Sequence, residues 1–375
     1  MFETILIQLG AFSVNVSISA AQLFLALLII FSAVKLYKTK DFSPITSWHT
    51  KFFILMVITE TISAFAGTNI QKSLSEVPSI WTYMYLYSCL ILFNGANLNR
   101  VLYAFFAGSI LNAISGVYDV FAAGFDRAIG FYTHALTYGN AAAVVFICAL
   151  GLLIFVKTQP PKLRILTAAA VLMSGFALLL SVSRGPMLYA SATAALMFIY
   201  QYKMKAAAAV TCIAMIIAVI IYFDDPLRER IFTDRGGKDT ASSVGTRMVL
   251  WETAIKAIAE RPVLGFGKGN FTQYVKDNVK VPLSSTAHAH NSYLHYTFNN
   301  GLLGLVFLLG FLISLFRFIH RRSKEYPPAK AALFVFIVFL MEGLTENNFG
   351  DSEVVMLTML LIAVLTAPAA LYKNL

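Results

Sequence analysis

The chain has 375 residues, of which 58% are hydrophobic and only 13% charged, and its mean hydropathy is +0.71. Only helices or closed barrels satisfy the backbone inside a bilayer, so this composition defines an all-α polytopic membrane protein with no separate soluble domain. The net charge of +10 does not point to nucleic acid, because the cations are scattered over short loops, where they act as a topology signal.

Eleven apolar stretches are long enough to cross a bilayer, at about 17–36, 51–70, 79–96, 100–122, 135–156, 163–183, 185–202, 205–223, 300–319, 329–346 and 352–372. The opening segment, Phe2 to Val14, is short and makes a twelfth span if tilted or re-entrant. Met1-Phe2-Glu3 lacks the cationic start and cleavage site of a secretory signal, so the chain is expected to insert by its own helices. With the amino terminus inside, Lys35, Lys38, Lys40, Lys51, Arg100, Lys157, Lys162, Arg164, Lys203, Lys205, Arg317, Arg321, Arg322, Lys324, Lys330 and Lys373 all fall on the cytoplasmic side. That partition supports twelve spans with both termini cytoplasmic. Cys89, Cys148 and Cys212 fall within predicted spans without metal-like spacing, which suits buried thiols.

Hydropathy divides the chain into helices over 1–223, an outward-facing loop over 224–299 and closing helices over 300–375, all in one integrated domain. Several ionisable residues fall at membrane depth or its boundary: Glu60, Asp119, Asp126, Arg127, His134, Glu342 and Glu346. Such groups usually line a cavity or pair with one another. Glu346 stands at the outer end of a span, and serves as well as a structural partner for an arginine as it does in a catalytic role.

Between two spans lies Ser181-Val182-Ser183-Arg184-Gly185-Pro186. Ser183 can cap a helix whose first turn accepts Pro186, leaving free N–H groups beside a guanidinium, a combination suited to phosphate oxygens. Snorkelling of Arg184 to the interface explains the segment equally well.

The loop opens with Asp224-Asp225-Pro226 and a charged, Gly-containing turn over 234–239. A helix is predicted from about Val244 to Glu260, with Met248, Trp251, Ile255 and Ile258 on an apolar face that suits the headgroup region. Arg247 then falls on the polar side, where a solvated helix face is the simpler reading. Gly265, Gly267 and Gly269 form a loop and no nucleotide fingerprint, since no βαβ pattern surrounds them. The loop ends in His288-Ala289-His290-Asn291-Ser292-Tyr293-Leu294-His295-Tyr296, just ahead of an apolar run. Imidazole titrates closest to neutral pH, which makes His290 the best general-base candidate and places its chemistry at a membrane surface. A metal pair of His288 and His290 is the weaker idea, because no third ligand stands at familiar spacing.

Taken in order, five segments carry a resemblance: Ser181-Val182-Ser183-Arg184-Gly185; Gly245-Thr246-Arg247 with Trp251; Pro262-Val263-Leu264-Gly265-Phe266-Gly267; the His288–Leu294 motif; and Asn300-Gly301-Leu302-Leu303-Gly304-Leu305. This order and spacing resembles the O-antigen ligase and polymerase superfamily, and Arg127 to His134 resembles a weaker motif of it. The resemblance implies a GT-C-like membrane glycosyltransferase of about twelve transmembrane helices, with a large periplasmic loop between the ninth and tenth. It implies transfer of an undecaprenyl-diphosphate-linked glycan, in lipopolysaccharide biosynthesis, at the periplasmic face of a bacterial inner membrane. In the ligase branch the acceptor is the lipid A-core, and neither metal nor cofactor is needed. Carried over, Arg184 and Arg247 hold the diphosphate and His290 activates the acceptor hydroxyl, with Arg127, His288, Asn291 and Glu346 as accessory residues.

Because no paired carboxylates of the retaining-hydrolase kind are evident, a single inverting displacement is expected. The His-x-His-Asn element and the length favour a ligase over an O-antigen polymerase using the same donor. A transporter is the rival of another class, and the sequence shows neither the repeated halves nor the discontinuous helices that would favour it.

Overall fold

The computed structural model describes residues 2–203 and 243–367, and among these residues every regular element is helical. The amino-terminal part contains α1 (Phe2–Val16), α2 (Ile18–Thr39), α3 (Trp48–Ala66), α4 (Ile70–Glu76), α5 (Met84–Leu92), α6 (Leu98–Phe121), α7 (Ala135–Phe155), α8 (Pro161–Leu180) and α9 (Arg184–Tyr202). After residue 242 come α10 (Ser243–Glu260), α11 (Phe271–Asn278), α12 (Ser292–Glu325), α13 (Pro327–Glu342) and α14 (Ser352–Thr366). The expected span over 205–223, the turn over 234–239 and Cys212 lie outside the described residues; Cys89 and Cys148 are buried, free thiols.

Six of the described helices are long and apolar enough to cross a membrane: α2, α3, α6, α7, α8 and α12. The burial pattern shows how they are layered. Every residue of α14 from Val354 to Thr366 is buried, and α7 is buried over most of its length, so these two form the interior of the bundle. A helix that is apolar all round belongs in such a place. In contrast, α2 exposes Leu23, Ile30 and Val34, side chains that suit hydrocarbon as a solvent. The opening segment forms α1, which packs against α2 and α6.

Two expected spans are shortened. The stretch over 79–96 is a 3-10 turn, Val77–Tyr83, leading into the nine residues of α5. Pro78, in the first turn, has no N–H for the α-helical ladder. The stretch over 51–70 ends at Ala66, because Gly67 and Thr68 meet the loop backbone: the Thr68 amide donates to the Phe266 carbonyl at 3.1 Å.

The described part of the large loop is folded onto the start of α12. Leu250, Ala254, Ala257, Phe266, Phe271, Val275, Ala289 and Phe298 make a small apolar core separate from that of the bundle. The Phe266 and Phe298 rings stack at 4.9 Å, with Phe271 edge-on to Phe298 at the same distance. On α10, Met248 and Ile255 are 54% and 57% exposed, and the helix packs on this core through Leu250, Ala254 and Ala257. Small alanines let α10 approach closely, and Trp251 and Ile258 are half-buried at the edge of the packed face.

Gly301 breaks α12 with φ 65° and ψ −173°, a region essentially restricted to glycine. The freed amides of Leu302 and Leu303 donate to the carbonyls of Pro262 and Val263, while the amides of Phe266 and Gly267 donate to Phe298 and Asn299. The glycine-rich loop and the Asn300-Gly301 motif are therefore one backbone joint. An added Cβ at Gly301 would lie 2.1 Å from the Val263 carbonyl oxygen, so the loop cannot close over any other residue without moving. Gly301→Ala is expected to destabilise the protein by on the order of 2–3 kcal/mol, seen as a lowered thermal unfolding temperature in detergent; an unchanged temperature would show that the joint relaxes freely.

Candidate functional site

The sequence candidates lie in, or within a turn or two of, the segments that join helices. Arg127 lies between α6 and α7, Arg184 opens α9, Arg247 is on α10, His288 and His290 precede α12, and Glu346 joins α13 to α14. Packing brings them into two linked groups.

The first group is built around Glu346, which is buried. One carboxylate oxygen accepts from the Arg247 guanidinium in a close ion pair, and the other lies 3.0 Å from His290 Nδ1. A carboxylate paired in this way accepts only, so it favours the tautomer with the proton on Nδ1 and the lone pair on Nε2. The backbone presents the ring: His290 adopts φ 47°, a left-handed conformation in which histidine is enriched. Asn291, expected among the accessory residues, is the helix cap. Its Oδ1 accepts from the Leu294 amide at 3.0 Å, and its Nδ2 donates to the Leu344 carbonyl at 2.9 Å.

His288 stands beside His290, with ring centroids 4.3 Å apart, and its Nδ1 accepts from the His290 amide at 3.3 Å. Burial, followed by the nearby imidazoles of His290 and His295 and the Arg247 guanidinium, pushes the His288 ring down to about 3. It is therefore neutral at physiological pH, consistent with its acceptor role.

The second group is held by Arg127. Its Nε donates to the Ser181 carbonyl at 2.8 Å and its Nη2 to Ser183 Oγ at 2.8 Å. Arg127 thus secures the turn that leads into Arg184, a turn in which Val182 takes a φ of 49°. Ser183 occupies the cap position of α9 but makes no side-chain cap, a departure from the expected geometry. Its hydroxyl instead accepts from Arg127 and lies within hydrogen-bonding distance of the carbonyls of Ala135 and Ser181. The exposed Arg184 begins the helix. The start of α9 adjoins the Glu346 loop: Tyr189 OH and Thr345 Oγ1 are 3.1 Å apart, and a Cβ on Gly185 would lie 3.4 Å from Thr345 Oγ1.

Sequence reasoning missed the supports of the Glu346 loop. Asn140 Nδ2 donates to Asn348 Oδ1 at 2.7 Å, Asn348 Nδ2 donates to Glu342 Oε2 at 2.7 Å, and Thr137 donates to Asp351 at 2.8 Å. The only signal was polarity itself, in the run from Glu346 to Asn348. No cluster of three or more His, Cys, Asp or Glu placed to hold a metal occurs among the described residues.

The described helices, six of them long and apolar enough to cross a membrane, fit a polytopic membrane protein. Residues 168–309 match the family described as O-antigen ligase, so the resemblance carried by the motifs holds over α8, α9, α10, α11 and the first half of α12. An uncharacterized protein of Haemophilus influenzae is 23% identical over 287 residues, which cover 69% of this chain and 71% of that one.

The depressed His288 titration has a consequence for stability. The unfolded ring, with its ordinary value of 6.5, takes up a proton that the folded ring refuses until about 3. Stability from this group is complete above 6.5 and is lost progressively as the pH falls towards 3. Thermal unfolding between pH 7 and pH 4 should therefore fall less steeply in His288→Gln than in the wild type; parallel slopes would remove His288 from the acid response.

Proposed function

We propose that the protein transfers an undecaprenyl-diphosphate-linked O-antigen glycan to a sugar of the lipid A-core, at the periplasmic face of a bacterial inner membrane. The observation that carries this reading is the joint engagement of Arg247 and His290 by one buried carboxylate, Glu346. It joins the anion-binding and base candidates of the family motifs in a single unit.

In this reaction the acceptor hydroxyl gives its proton to His290 Nε2 as its oxygen bonds to the anomeric carbon of the donor sugar. The bond from that carbon to the diphosphate oxygen breaks, and its electron pair leaves with the diphosphate. Arg184 and Arg247 stabilise the departing charge, which is the main demand of so good a leaving group. His290 then returns its proton to solvent. A single displacement inverts the anomeric carbon. Glu346 orients the base, and Arg127 is a positioning residue that sets the turn before Arg184. Both termini are cytoplasmic on this reading, and the loop over 224–299 is periplasmic.

His290→Ala is expected to lower transfer by roughly 10²–10⁴-fold, the usual contribution of acid–base catalysis, while donor binding persists. Reconstituted protein with purified donor and acceptor, at matched membrane levels, measures this; transfer near the wild-type rate would exclude His290 as the base. In the same assay Arg184→Lys should insert normally and lose most of its turnover, because a point ammonium cannot reproduce paired contacts to phosphate. Chelator should leave the wild-type rate unchanged, and inhibition reversed by Mg²⁺ would refute a mechanism based on arginine alone. A deletion strain is expected to accumulate long glycan on its lipid carrier and leave lipid A-core uncapped.

A further inference from the structure

A second feature lies behind the histidine motif and is used by none of the steps above. A cleft of about 400 Å³ is lined by α3, α4 and the following turn, the loop at Lys268-Gly269, the first turns of α12 and the segment after Glu346. That volume falls in the range of pockets for small molecules, roughly 300–1,000 Å³.

Its walls are polar and incompletely matched. Asn299 and Asn300 are 3% and 1% exposed, and the Oδ1 of each lacks a hydrogen-bond partner among the described residues. His295 Nδ1, one turn earlier on the same helix, is likewise without one, while Tyr296 OH lies beside the Glu60 carboxylate. Three such groups on residues that line one cavity are costly to leave unmatched, and buried polar groups are nearly always satisfied.

The charges say what kind of ligand would satisfy them. Glu60 and Glu76 are balanced by Lys72 and Lys268, and Lys268 Nζ lies 3.6 Å from Glu60 Oε2 and donates to Ser79 Oγ at 2.7 Å. An anion would meet two carboxylates. A neutral polyhydroxyl group, in which each hydroxyl both donates and accepts, suits this mixture of acceptors and held donors.

The cavity is also in the right place. Ala287, Ser292 and Asn347 line it, and these residues flank His290 and Glu346 in the chain. The rings of His290, His288 and His295 form a row, with centroid separations of 4.3 and 6.2 Å, leading from the base towards the cavity wall. None of Arg127, Arg184 and Arg247 lines it, so a diphosphate would be held elsewhere. We propose that this cavity is a subsite for neutral sugar units of one of the two glycans that meet at His290. This deepens the transferase reading and rests on it for the identity of the glycans.

Two probes separate the sources: core oligosaccharide freed of lipid A, and O-antigen polysaccharide cleaved from its carrier, both from the producing strain. Each is titrated against the full chain in nanodiscs by saturation-transfer NMR. One of them should bind the wild type and the His290→Ala variant alike. Asn299→Leu and Lys268→Met should each weaken that binding about tenfold or more, the loss expected when a buried hydrogen bond is removed. In the transfer assay the same variants should raise KM for that glycan and leave KM for the other near the wild-type value. Thermal unfolding selects the variant that folds; if Asn299→Leu does not, Lys268→Met and Asn300→Ala carry the test.

Cavity-dependent binding of the core oligosaccharide would assign the subsite to the acceptor, and of the polysaccharide to the donor. Binding of neither probe, or equal binding by the wild type and all folded variants, would overturn the proposal. Binding that depends on the cavity in a protein that transfers nothing would leave the subsite standing and refute the transferase reading; transfer with unchanged KM in every variant would do the reverse.

Discussion

The organisation of the site depends on one buried carboxylate. Glu346 is removed from solvent and touches both a guanidinium and an imidazole. An isolated charge in such a place would be prohibitive, and a pair that loses one member is strongly destabilised. Three elements distant in sequence must therefore meet: α10 with Arg247, the approach to α12 with His290, and the turn from α13 to α14 that carries Glu346 itself. The turn is fixed in its own right, because Ser292 Oγ donates to the Glu346 carbonyl at 2.8 Å and the Ser292 amide donates to Gly343 at the same distance.

The bundle supplies the rigidity on which that carboxylate relies. Asn140 on the interior helix α7 reaches Asn348, and Asn348 reaches Glu342, so the turn is anchored to the most buried part of the molecule. From the other side, the backbone joint at Gly301 and the stacked rings of Phe266, Phe271 and Phe298 hold the loop against α12. The candidate site is thus braced by two cores, and neither includes Arg247, His290 or Glu346.

Much of this was legible in the sequence, for identifiable reasons. Long apolar runs must become helices in a bilayer, which is why α2, α3, α6, α7, α8 and α12 fall close to their expected positions. Glu346 was readable as a partner for an arginine because a charge beside a span needs one. The burial face of α10 was not, since alanine contributes little to periodicity and the face is chosen by how closely α12 can approach. Ser183 has the residue type of a cap and serves Arg127 instead, a partner 56 residues away that no local pattern specifies. The contact between Asn140 and Asn348 spans 208 residues and is equally beyond local inference. The polar cavity is assembled from five segments, and its residues acquire meaning only from their juxtaposition.

The shared carboxylate also bears on how the site would respond to an anion. As the structure stands, Arg247 is neutralised by Glu346, and half of the carboxylate's capacity is spent on that pair. A diphosphate, on the reading proposed above, would compete for the same guanidinium with two negative groups against one. As Arg247 turned towards the phosphate, Glu346 would retain His290 as its partner in a low-dielectric setting, where a carboxylate strengthens its hold on a forming imidazolium. Donor binding and base orientation would then be coupled through a single side chain, with no movement of the bundle required. Arg184 opens α9 from a different turn, one that Arg127 holds through the Ser181 carbonyl and Ser183 Oγ, so on that reading the two arginines would be set by different parts of the fold: Arg247 by the carboxylate it shares with His290, Arg184 by the backbone before it.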